Sequence, residues 1–212
     1  MGIDSPRIEA AVAELLAAIG EDPARPALVD TPRRVAEAYA EFFAGIGEDP
    51  LQHLSDATDL DASKGELGEL VLLRDVDFRS ICEHHLLPFT GVAHLAYVPG
   101  ERIVGLGRLP RVVETLSSRP QLQERLGEQI ADAIETGLAP RGVLVVLDAR
   151  HGCVTARGTR QVDSTTVTVA SRGTLSEPAA QAAVLSMIST GSITEATGSI
   201  TEATGSAAGG PS

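Results

Sequence analysis

The sequence predicts an α+β domain: an antiparallel sheet with helices on one face, preceded by an N-terminal helical extension. Two observations predict it. Apolar residues recur at helical spacing in some segments and at strand spacing in others. The strand-like segments come as two adjacent pairs, in the order two helices, two strands, two helices, two strands, one helix, which suits antiparallel neighbours with packed helices.

The first helix places Ile8, Val12, Leu15, Leu16 and Ile19 on one face, and Gly20 stops it. The second opens at "DTPRRVAEAYAEFF". There Thr31 is the expected cap, Pro32 suits the first turn, and Val35, Tyr39, Phe42 and Phe43 form a stripe. A polar, acidic stretch from Gly45 to about Leu67 reads as loop. "LVLLRDVDFRS" and "GVAHLAYVPG" read as strands, and "ERIVGLG" as a weaker one. A short helix follows around "PRVVETLSS". A longer one from Pro120 repeats Leu122, Leu126, Ile130, Ile134 and Leu138 every four residues. "GVLVVLDARHGCVTAR" and "DSTTVTVASRG" are strands again, and "EPAAQAAVLSMI" is a closing helix. Four strands leave open edges, so joining of sheets between subunits is expected. Three regions result: a helical region over 1–66, the sheet domain over 67–188, and a tail over 189–212 read as disordered. In the tail "GSITEAT" occurs twice in tandem, too short and too rich in Gly and Thr for a coiled coil.

Composition narrows the function. The chain has 212 residues, 43% hydrophobic and 22% charged, as in an ordinary globular protein. Its formal charge of −12 disfavours nucleic acid and anionic membranes as partners, since both call for a basic footprint. No apolar run reaches membrane-spanning length and no signal-peptide core is present, which points to the cytoplasm.

The chemistry gathers at the two cysteines. "SICEHHLLPF" holds Cys82, His84 and His85, and "DARHGCVTARG" holds His151 and Cys153. Cys82 and His85, three apart, can meet one metal ion, and Cys153 would be the third ligand. Three Cys and His ligands without an evident fourth suit a catalytic zinc, which keeps its fourth position for water and lowers that water's pKa to about 7. His84 and His151 are then candidates for proton transfer beside the metal. If Cys153 continues the strand, His151 shares its face. Buried inert thiols and a disulfide are the competing readings, and iron or cobalt would also accept such ligands. Glu83 is read as a salt bridge or support for the ligands, His94 as structural and His53 as a surface residue.

"CEHHLLPFTGVAHLAYVPG", "GLGRLPRVVE", "RPQLQERLGEQIADAI" and "HGCVTARG", with "DTPRRVAEAY" upstream, resemble the GTP cyclohydrolase I family from about Pro23 to Ile188. The resemblance implies the tunnelling fold, assembled as a homodecamer with active sites between subunits. It implies conversion of GTP and water to 7,8-dihydroneopterin triphosphate and formate, the entry to folate and other pterins. Cys82, His85 and Cys153 match the family's zinc ligands, and His84 and His151 its catalytic histidines. Gln123 and Glu124 match the guanine-binding position. Arg111 and Arg157 match triphosphate contacts, with Arg108 retaining the charge of a family lysine, and Arg160 and Arg119 are possible additions. Two departures stand out. Gly107 replaces a serine hydroxyl, which predicts weaker GTP binding. Gly152 replaces a larger residue, which predicts a looser site. A non-catalytic pterin- or nucleotide-binding paralogue and a zinc hydrolase acting on another purine nucleotide are the alternatives. A zinc deaminase is disfavoured, because the Pro-Cys-x-x-Cys motif is missing.

Overall fold

A computed structural model describes residues 2–61, 68–158 and 160–198, with the backbone alone over 190–198. The chain is α+β, as the periodicities predict. Helices α1 (Ser5–Ala18) and α2 (Thr31–Phe42) come first. Asp30, not Thr31, occupies the cap position of α2, and Thr31 is already helical. The stretch read as loop contains a short 3-10 helix, Pro50–Leu54, and strand β1 (Thr58–Asp59). Positions 62–67 of that stretch lie outside the described residues.

The main sheet is built from β2 (Val71–Cys82), β3 (Pro88–Val98), β5 (Pro120–Gln121), β6 (Gly142–His151) and β7 (Thr166–Gly173), ordered β5-β2-β3-β6-β7. β2, β3, β6 and β7 are antiparallel, and the two-residue β5 lies parallel to the end of β2. "ERIVGLG" supplies only β4 (Arg102–Ile103), paired with β1. Gly107 then caps α3 (Arg108–Ser117).

Helix α4 (Gln123–Leu138) starts three residues after Pro120, because Pro120 and Gln121 are spent on β5. Its four-residue repeat is the buried face: Leu126, Ile130, Ile134 and Leu138 are each 0% exposed. They pack with Leu109, Val112 and Val113 of α3 on Leu95, Tyr97, Val143, Val145 and Leu147 of the sheet. Replacing one of these leucines or isoleucines by alanine removes about 2–5 kcal/mol.

The one-face arrangement holds for α3 and α4 only. Helix α6 (Pro178–Gly198) lies on the opposite face, where Val184 meets Ala96, Leu144, Val146 and Leu175. That is why "VLVVL" reads as an unbroken apolar run: its residues are covered from both sides. The backbone of α6 continues to Gly198, beyond the Ile188 at which the sequence reading ends it. The second repeat copy after its first residue, Gly198, and the rest of the tail, 199–212, lie outside the described residues. None of the described helices is long and apolar enough to cross a membrane.

Candidate active site

The antiparallel order brings three chain positions to one end of the sheet. β2 ends at Cys82, β3 begins at Pro88, and β6 ends at His151, which pairs with Phe89. The five-residue connection from Glu83 to Leu87 is closed by two hydrogen bonds. Cys82 N–H donates to Leu87 O and Leu86 N–H to Cys82 O, both at 2.9 Å. Leu86 takes a left-handed φ of 51° to complete it. After His151 the chain does not continue as a strand. It turns into a short helix, α5 (Gly152–Thr155), so Cys153 is helical and the shared-face argument for His151 does not apply.

The outcome is nonetheless the expected cluster. One ligand atom each from Cys82, His85 and Cys153 lies within 4.8 Å of the others. Both thiols are free. Burial, with Cys82 close by, pushes the Cys153 thiol up, while Arg157 pulls it down. Two sulfurs and an imidazole gathered this closely fit a thiophilic divalent cation, which would keep both cysteines as thiolates. His84 is exposed, its ring edge-on to His85 at 6.3 Å.

His151 is tightly held. Its ring stacks on Phe89 at 4.7 Å, with an interplanar angle of 4°. Its Nε2 lies 2.6 Å from Gln123 Oε1. Burial lowers the imidazole's pKa, against the pull of Glu124. Gln123 is 1% exposed and its amide is engaged within the fold, whereas Glu124, next to it in the first turn of α4, is exposed.

The arginines divide. Arg157 is exposed just beyond α5, near Cys153. Arg108 and Arg111 line a cavity of about 330 Å³ with Gly105, Leu106 and Gly107, and that cavity contains no member of the metal cluster. Arg108 is ion-paired with Asp56. Arg119 is a clamp: it donates to Gly45 O at 2.8 Å and Glu48 O at 2.6 Å. Arg160 is exposed, with φ 49°. A cavity of about 630 Å³ between α2, β2 and α3 is lined by none of the predicted site residues.

Gly152 is a point of close approach. A Cβ there would come within 2.8 Å of Pro88 O, so the glycine lets the two ligand-bearing segments touch and the looseness predicted for it is not seen. Two residues escaped the sequence reading. Phe89 supports His151. Arg125 holds Glu83 with bonds of 2.7 and 3.3 Å. The acidic residue between two candidate ligands was the available signal for such a partner.

Comparison with known proteins gives a consistent result. The family model described as GTP cyclohydrolase I matches residues 8–189. GTP cyclohydrolase 1 of Leifsonia xyli subsp. xyli is 61% identical over 191 residues, covering 90% of this chain and 98% of the relative. GTP cyclohydrolase 1 of Rhodopirellula baltica is 50% identical, covering 88% and 80%. That of Geobacillus sp. (strain WCH70) is 50% identical, covering 86% and 95%. Among solved structures, an archaeosine synthase QueF-Like in the apo form aligns with 50% of this chain and 94% of its own, at TM-score 0.40 and 16% identity.

Proposed function

We infer the activity from one premise: this chain belongs to the GTP cyclohydrolase I family. It is a GTP cyclohydrolase I, converting GTP and water to 7,8-dihydroneopterin triphosphate and formate. The observation that carries the chemistry is the convergence of Cys82, His85 and Cys153.

Zinc is the cofactor proposed for that cluster. When bound, it would act as a Lewis acid and lower the pKa of a water at its remaining position. The protein's own groups do the rest. Glu124 accepts from the guanine ring N–H and the exocyclic amine together, a pairing adenine cannot make. Its exposure at the start of α4 supports this. His151 gives a proton to the purine ring nitrogen as the five-membered ring opens. His84, exposed beside the cluster, moves protons at the sugar during rearrangement. Arg108, Arg111 and Arg157 hold the triphosphate by charge-assisted hydrogen bonds.

We also propose the tunnelling fold and a homodecamer with active sites between subunits. Three features support it. The cavity of about 330 Å³ that Arg108 and Arg111 line contains no member of the metal cluster of their own chain, as expected if a neighbour completes the site. Among the described residues β5 covers only Ile81 and Cys82 of the outer edge of β2, and Val167 and Val169 are exposed on β7. Leu15 and Ile19 leave α1 with uncovered apolar surface. The activity is tested by incubating the protein with GTP. Formate and a dihydropterin chromophore should appear in equal amounts, and neither should form if the assignment is wrong.

A further inference from the structure

Gln123 lies on the first turn of α4, buried beside an exposed neighbour. The partners of its amide dictate which end is which. The nitrogen Nε2 lies 3.0 Å from Leu147 O, 2.8 Å from Thr166 O and 3.2 Å from Thr168 Oγ1. Carbonyl oxygens only accept, so the NH₂ group must face them. The oxygen Oε1 then faces His151 Nε2 at 2.6 Å. An amide oxygen also only accepts, so His151 Nε2 carries a hydrogen. In the neutral ring the lone pair is left at Nδ1.

We propose that Gln123 is a positioning residue that fixes the tautomer of His151, keeping the proton on Nε2 so that Nδ1 is the atom that exchanges protons with the substrate. The proposal rests on the reading of His151 as the acid–base group. In the acid step, on the adduct formed when water adds to the purine carbon, Nδ1 takes the proton of the new hydroxyl, whose oxygen becomes the formamide carbonyl, and passes it to the purine ring nitrogen. The electron pair of the breaking carbon–nitrogen bond stays on that nitrogen, and Nε2–H remains on Gln123 Oε1. The ring returns to the neutral state with its lone pair again at Nδ1. Leu147 belongs to β6 and Thr166 to β7, so two strands of the sheet anchor this choice. The Phe89 stack holds the ring plane in place meanwhile. On this assignment Gln123 acts through His151 and not on the substrate.

The test is solid-state ¹⁵N NMR of the metal-loaded enzyme labelled at histidine, with the His151 signals identified by their loss in His151→Gln. The neutral ring should show a proton-bearing Nε2 and a lone-pair Nδ1. Gln123→Met keeps the side-chain length but removes the acceptor. It should lose the Nε2–H preference and at least about 100-fold in kcat, with KM for GTP within about threefold. Gln123→Glu, in the protonated form whose O–H faces Leu147 O and Thr166 O, keeps an accepting oxygen toward Nε2. It should restore the spectrum and at least about tenfold of the lost kcat. A wild-type ring protonated at Nδ1 overturns the proposal, as does a folded Met variant with wild-type kcat. If the Met variant does not fold, the wild-type spectrum still decides. The spectrum is read without turnover. Failure to release formate would therefore overturn the activity and leave the tautomer assignment standing.

Discussion

Arg125 grips Glu83 through both terminal nitrogens of its guanidinium, at 2.7 and 3.3 Å. The pair ties the turn carrying Cys82 and His85 to the helix carrying Gln123 and Glu124. Glu83 N–H adds a bond to Gln121 O at 3.1 Å. The metal cluster and the proposed guanine-binding end are thereby held in register. The pair is partly exposed, so Arg125→Ala should remove no more than about 1 kcal/mol of stability. Its larger effect should be on geometry, with kcat/KM for GTP falling about tenfold or more. Denaturant unfolding and steady-state kinetics on one preparation would separate the two effects. A variant with unchanged kinetics would show that the tie is dispensable.

Gly152 should not tolerate a side chain. In Gly152→Ala the new methyl meets the Pro88 carbonyl at 2.8 Å, and backbone must move on one side or the other. Overpacking of this kind removes about 1–3 kcal/mol. Because Cys153 is the next residue, metal affinity should fall about 10–100-fold, as when the support of a ligand is lost. Metal retention against a competing chelator is the readout, and a variant that binds metal as well as wild type would refute the close-contact argument.

Gly107 has open space around it and caps α3 with φ −67°, a conformation any residue adopts. Gly107→Ser should therefore fold normally, with at most a few tenths of a kcal/mol gained from the cap. Its hydroxyl lies beside Arg108 and Arg111 at the proposed phosphate cavity. One hydrogen bond to a charged group contributes about 1.5–3 kcal/mol, so KM for GTP should fall by roughly tenfold or more. An unchanged KM would mean that the family serine position is not used here.

His94 makes stability depend on pH. It is 7% exposed, and its Nδ1 accepts from Asp75 N–H at 3.2 Å. Burial lowers its pKa. Asp75 and Asp148 oppose that shift, and Arg74 adds to it. The folded state thus resists protonation, while the unfolded chain takes up a proton near the ordinary histidine value. The stability from this residue is complete above that value. It declines as pH falls through the lowered folded pKa, by at most about 1.4 kcal/mol per pH unit. Unfolding midpoints across this range should slope less in His94→Gln, and an equal slope would assign the dependence to other groups.

What could be read from the sequence follows from where the periodic signal was strong. Helix α4 was legible because Leu126, Ile130, Ile134 and Leu138 recur on one face, and that face is the core. The metal cluster was legible because cysteine and histidine are scarce in this chain and still fall side by side. α5 was not legible, since four residues are too few to show a period. The second helical face was hidden because "VLVVL" gives no alternation from which a covered side could be inferred. Arg119 resembled a free cation because its partners, Gly45 O and Glu48 O, are backbone atoms some seventy positions away. Gly152 read as slack because a missing side chain says nothing about what approaches it.

The most direct measurement takes wild type and Cys153→Ser, each purified without added metal, and determines bound metal per chain and formate released from GTP on the same samples. About one zinc per wild-type chain is expected, with turnover that chelation removes and zinc restores, and loss of both metal and turnover in the serine variant. Wild-type protein that releases formate at full rate with its metal stripped, or a serine variant that keeps both metal and turnover, would contradict the account.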